Sequence, residues 1–134
     1  MLCRSFRGSS VRGDWFGKGG VVRYALFVCA DETQELTEEE VQERWHAFMR
    51  FQQDLEDRGA LVLLQRLQPS STATKVSKRG GDLVIADGPF AETREQIAGF
   101  YVIECEDLDE ALEIAAHNPA AEFGTVEVRP VWVA

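Results

Sequence analysis

Four apolar, β-forming runs and two helix-start signals alternate along this chain in an order that few folds accommodate. The first run, Val22-Arg-Tyr-Ala-Leu-Phe-Val-Cys-Ala30, is nearly continuous, the pattern of a strand buried on both faces. Thr37-Glu-Glu-Glu40 reads as a capping box, the threonine oxygen accepting from the Glu40 amide while the Glu40 carboxylate reaches back. Val41, Trp45, Phe48, Met49, Gln52 and Leu55 then recur at three- and four-residue spacing before Gly59, which predicts a helix from Glu38 to Arg58. Ala60 to Leu67 is a second strand, stopped at Pro69-Ser-Ser-Thr72.

Thr74 to Lys78 and Leu83 to Ala86 are short β-type segments around Arg79-Gly-Gly-Asp82, whose glycines suit a tight hairpin. Ile97 to Cys105 is a further apolar strand. Asp107-Leu-Asp-Glu110 caps a short helix carrying Ala111, Leu112, Ile114 and Ala115, which Asn118-Pro119 ends. Thr125 to Val133 alternates as a last strand, with Pro130 marking an edge position or a strand limit. With the hairpin set aside, the order is β-α-β-β-α-β, so the expected fold is α+β, a ferredoxin-like split βαβ with an inserted β-hairpin. Two helices cover one sheet face only. The apolar strands therefore call for cover on the other, most simply from a second copy of the chain, and a homodimer is expected.

Composition narrows the function classes. At 134 residues with 45% hydrophobic and 28% charged content, the chain is the size of one ordinary globular domain. The net charge of −9 repels phosphate backbones and anionic lipid, so nucleic acid is excluded as an expected partner. No apolar run approaches the roughly 20 residues of a membrane-spanning helix, so no membrane association is expected. Cys3, Cys29 and Cys105 form no disulfide framework and no paired metal knuckle, which suits a reducing cytoplasm. The first twenty residues hold Arg4, Arg7, Arg12 and Lys18 against Asp14, with many Gly and Ser and no periodicity. Residues 1–21 are read as a disordered extension or the product of an upstream start codon, and residues 22–134 as the domain.

The segment DGPFAETREQIAGFYVIECEDLDEALEIAAHNPAAEFGTVEVRPV, residues 87–131, resembles the YCII-related proteins of the DGPF subgroup. The likeness extends back through Pro69-Ser-Ser-Thr-Ala-Thr74 to Val22-Arg-Tyr-Ala-Leu-Phe27. The resemblance implies a dimeric α+β barrel, no established activity, and an association with sigma factors of the extracytoplasmic-function class. It also implies an acid–base pair between a histidine of the first helix, matched here by His46, and an aspartate before the last strand. That second position is Asn118, and an amide does not take up a proton as a carboxylate does.

Among candidate site residues, Asp87-Gly88-Pro89-Phe90 is the sharpest local feature, since Pro89 drives Gly88 out of the right-handed helical region. With Glu92 and Arg94 it sets carboxylates and a guanidinium on one loop, with Asp87 as general base and Arg94 as a carboxylate clamp. A structural turn explains the same tetrapeptide. His46 is the second catalytic candidate, expected to roof a pocket edged by Asp87, Glu92 and Arg94; a histidine beside an apolar stripe is also an ordinary boundary residue. His117 suits a helix C-terminus. Cys29 and Cys105, read as ends of neighbouring parallel strands, are expected near each other. Trp45, Phe48, Phe51, Phe100, Tyr101, Phe123 and Trp132 are core residues or the walls of an aromatic pocket. With two histidines and no paired spacing, no metal and no cofactor are expected.

Two functions remain open at this level: a domain that binds or transforms a small molecule near the DGPF loop, and a non-catalytic regulatory partner of a sigma factor. A chain beginning at Val22 is expected to unfold with an unchanged midpoint in thermal denaturation. A lower midpoint would make the first twenty residues structural.

Overall fold

In β1 (Val22–Asp31), Val22, Tyr24, Leu26 and Val28 are buried, while Arg23, Ala25, Phe27 and Cys29 between them are not. A computed structural model describes residues 21–133 of the chain, and the expectation for the first twenty residues falls outside them. Within one chain, β1 is thus buried on its helix-facing side, and Ala25 and Phe27 lie on the open side of the sheet.

Helix α1 (Glu38–Asp57) starts on the Thr37 hydroxyl, which accepts from the Glu40 amide at 3.1 Å, without the return bond from the Glu40 carboxylate. It ends at Arg58, with Gly59 in the left-handed region at φ 69°. Strands β2 (Leu61–Arg66), β3 (Thr74–Arg79), β4 (Asp82–Asp87) and β5 (Glu95–Cys105) follow, with a 3-10 turn at Ser70–Thr72. Asp107 caps α2 (Leu108–His117) by accepting from the Glu110 amide at 2.9 Å. The short helix α3 (Ala120–Phe123) was not legible in the sequence. Pro119 ends α2 and also pre-sets the first turn of α3, held by the bond from the Ala120 amide to the Asn118 side-chain oxygen at 2.9 Å. Strand β6 (Thr125–Pro130) closes the fold, and its proline lies at its end on a sheet edge, as expected.

The main sheet has the order β2-β5-β1-β6 with every neighbour pair antiparallel, an α+β arrangement consistent with the ferredoxin-like pattern. The β3–β4 hairpin forms a separate two-stranded sheet around Gly80 and Gly81, both at positive φ. The core lies on the helix face, where Tyr24, Leu26, Leu55, Ile103 and Ile114 are fully buried. Truncating a residue such as Leu55 to alanine costs about 2–5 kcal/mol in such a setting. The antiparallel pairing of β1 with β5 corrects the expected nearness of the cysteines. Cys29 sits opposite Ile97 and Cys105 opposite Val22, at the two ends of one ladder.

Helix α1 departs from its sequence pattern in a way that bears on function. Phe51 and Leu55 toward its C-terminal end are buried, whereas Val41, Trp45 and Met49 before them remain about half exposed. The open sheet face carries Ala25, Phe27, Val102 and Leu63, with Phe27 and Phe100 in ring contact at 6.4 Å.

Backbone approach is closest at Gly124, where a Cβ would collide with the Cys29 carbonyl oxygen. Gly124→Ala must push β6 away from β1. It is expected to destabilise by about 1–3 kcal/mol, measured by urea denaturation.

Candidate functional site

Asp87 ends β4 with an exposed side chain that makes no hydrogen bond among the described residues. The turn is held instead by backbone: the Gly88 amide donates to the Ala73 carbonyl at 2.8 Å, with Gly88 at φ 98°. Gly88 and Pro89 are half-buried, Glu92 and Arg94 are exposed, and the Phe90 ring is 97% exposed. The Arg94 guanidinium lies near the Asp31 carboxyl, whose pKa is lowered mainly by the bond from the Thr33 hydroxyl and amide, with Arg94 a smaller cause. Gln96 ties the far side of the loop down, donating to the Ala91 and Thr93 carbonyls.

His46 projects from α1 into a shallow surface groove with Glu40, Glu43, Arg50 and Glu122. That groove includes none of Asp87, Glu92 or Arg94. Within one chain the structure does not bring His46 and the loop together. Asn118 is 1% exposed, its oxygen engaged by the Ala120 amide and its Nδ2 without a hydrogen-bond partner in ordinary geometry. Its amide side chain nevertheless lies close enough to the Tyr101 phenol to offset part of the upward pKa shift that burial causes there. His117 Nδ1 lies 2.8 Å from the Glu113 carbonyl, so this ring serves the end of its helix.

A cavity with a mainly aromatic and aliphatic wall lies elsewhere, between α1 and the sheet. It measures about 350 Å³. Trp45, Phe48, Tyr101 and Phe123 line it with Leu64, Met49 and Ala98, whereas the Phe100 ring lies on the opposite face against Phe27, Phe51 lines a neighbouring cleft and Trp132 is exposed. Its floor follows from two local features. The β1–β5 register shifts between Val28 and Cys29, and Gly99 lets β5 approach β2 so closely that a Cβ would meet the Gln65 carbonyl oxygen at 2.8 Å.

Among the described residues, two guanidiniums are the charged groups at this cavity. Arg44 stacks on the Phe123 ring at 3.7 Å and donates to the Gln34 side-chain oxygen, while Arg66 lies 5.3 Å from the Trp45 ring. No aspartate or glutamate lines the cavity, and neither arginine forms a salt bridge among the described residues. The aromatic residues stand out in the sequence, whereas neither arginine does. Their signal is weak, because Arg44 follows four glutamates on a helix and Arg66 ends an apolar strand.

Neither described cysteine lines this cavity. Burial pushes the Cys105 thiol up to about 12 and raises that of Cys29, where Glu127 and Glu95 add to the shift. Thiolate is the reactive form. Among the described residues no group of three or more His, Cys, Asp or Glu side chains could hold a metal ion.

The fold and cavity define a small α+β domain with a ligand-sized, aromatic-walled recess under its first helix. The chain belongs to the YCII-related family, whose domain model matches residues 22–134. It is 37% identical over 112 residues to an uncharacterised protein of Rhizobium meliloti (strain 1021), covering 81% of this chain and 90% of that one.

Two outcomes follow from the geometry. Asp87→Asn removes no hydrogen bond and is expected to change stability by less than about 0.5 kcal/mol. A loss of about 1 kcal/mol or more in thermal denaturation would show that the carboxylate caps its turn. Brief iodoacetamide treatment of the native protein at pH 8, followed by peptide mapping, is expected to leave Cys105 unmodified and to yield no Cys29–Cys105 disulfide, since pH 8 lies far below the thiol pKa of about 12.

Proposed function

We propose that this YCII-related protein is a small-molecule-binding domain, and that its site is the recess between α1 and the sheet. The supporting observation is the recess itself. A volume of about 350 Å³ lies in the range of small-ligand pockets, and its walls combine aromatic side chains with a few polar groups, the usual make-up of such sites. The half-exposed Val41, Trp45 and Met49 are apolar surface that a bound molecule would cover. Asp87, Glu92 and Arg94 stand outside this reading as ligands, as does His46, because none of them lines the recess. The DGPF loop contributes by position: Gln96 anchors it beside Ala98, a residue of the recess wall.

The reading includes a homodimer. Val76 and Ile85 face each other on one side of the hairpin with Leu83 beside them, 65%, 61% and 59% exposed, and the sheet face of Phe27, Val102 and Leu63 lacks a covering layer among the described residues. These surfaces also favour a second reading, a regulatory protein that docks a partner such as a sigma factor. The recess favours ligand binding over it, since a docking protein has no need of an aromatic cavity.

Trp45 reports on the recess directly. Addition of a small aromatic probe is expected to quench intrinsic fluorescence, and Trp45→Phe is expected to abolish most of that response while preserving the fold by circular dichroism. Quenching unchanged in the variant would place the ligand elsewhere. Sedimentation velocity at micromolar concentration is expected to give a species of about 30 kDa, twice the 15.0 kDa chain. A stable monomer would refute the dimer.

A further inference from the structure

We propose that the recess under α1 selects flat, apolar anions, carboxylates on an aromatic or similarly planar body, through Arg66 and Arg44. This rests on the reading of the recess as a ligand site and adds the class of ligand. The electrostatic setting carries it. The chain has a net charge of −9, yet among the described residues the charged side chains lining this cavity are both guanidiniums, with no carboxylate beside them. Arg23 pairs with Glu104 and Arg58 with Glu110, whereas Arg66 and Arg44, like Arg50, Arg79 and Arg94, make no salt bridge among the described residues. Arg44 also borders the surface groove of Glu40, Glu43 and Glu122, so Arg66 is the guanidinium farther from carboxylates.

Their geometry leaves donors for a ligand. A guanidinium lying over an aromatic face is held by the ring quadrupole and keeps the N–H groups along its edge available in the plane. Arg44, stacked on Phe123, spends one nitrogen on the neutral Gln34 oxygen, and Arg66 lies over Trp45 with no hydrogen bond among the described residues. A planar carboxylate matches that fork with two parallel bonds. The apolar body would lie against Trp45, Phe48, Leu64 and Ala98, where a hydrated inorganic anion gains nothing. A cationic ligand is disfavoured by the same two charges.

The test compares 2-naphthoate with the neutral 2-naphthalenemethanol and with inorganic phosphate, titrated by calorimetry into the full chain and into Arg66→Gln and Arg44→Gln. Naphthoate is expected to bind at least about tenfold more tightly than the alcohol, and Arg66→Gln to remove about tenfold of that affinity while leaving the alcohol within about twofold. Raising the salt concentration is expected to weaken naphthoate alone. Thermal denaturation of each variant checks the fold, and the salt dependence of the unmodified protein decides the matter if Arg44→Gln loosens Phe123. Equal affinity for naphthoate and alcohol would overturn the inference, leaving the recess as a neutral apolar site. Phosphate binding as tightly as naphthoate would overturn the planar class. If none of the three binds, and the Trp45 response is also absent, the ligand-site reading fails along with it.

Discussion

The antiparallel pairing of β1 with β5 is the constraint on which the remaining elements depend. Ten residues of β1 face partners on β5, and the buried members of these pairs, Tyr24 with Ile103 and Leu26 with Tyr101, all point toward the helices. Because side chains alternate with a period of two, this register assigns every neighbouring residue to the opposite face. Phe51 packs edge-on against Tyr101 at 5.4 Å, and Leu55 and Ile114 complete the same cluster. The second half of α1 and the whole of α2 are therefore seated by the residues that fix the central strands.

The cavity arises where that pairing is interrupted. After Val28 the register shifts, an extra residue enters β5 at Ala98, and Gly99 brings the β2 backbone close. The helix-facing residues at this end are Ala98 and Gly99, too small to reach α1. Trp45 and Met49, which a larger neighbour would bury, are left as walls over an open space. One bulge and one close backbone approach thus convert part of an ordinary core into a recess.

Charge is distributed with the same asymmetry. The ion pairs Arg23–Glu104, Arg58–Glu110 and Arg129–Glu127 lie on the surface, where each contributes little to stability. The two arginines at the recess stack on aromatic rings instead, an arrangement that tolerates dehydration better than an ammonium would. The hairpin residues Val76, Leu83 and Ile85 form a separate exposed apolar surface outside the recess.

Much of the architecture was legible in the chain. Thr37, Asp107, Gly59 and Asn118-Pro119 mark helix ends through local hydrogen bonding and backbone preference, which need no tertiary context, and the element order alone points to a split βαβ sheet. Helix α3 escaped because four residues carry no periodicity. The relation of Cys29 to Cys105 was misread because strand direction within a sheet is a property of connections rather than of strand sequence. The DGPF loop stood out because glycine and proline leave a strong local signature, whereas Arg44 and Arg66 look like ordinary solvated charges when read in line. What the sequence determined by itself was the set of elements and their ends, since those depend on residues within a few positions of one another. Only the tertiary structure decided where a cavity opens, which aromatic rings bound it and which cations reach it, because those depend on a register shift that juxtaposes residues 44, 66, 99 and 123 from four separate segments.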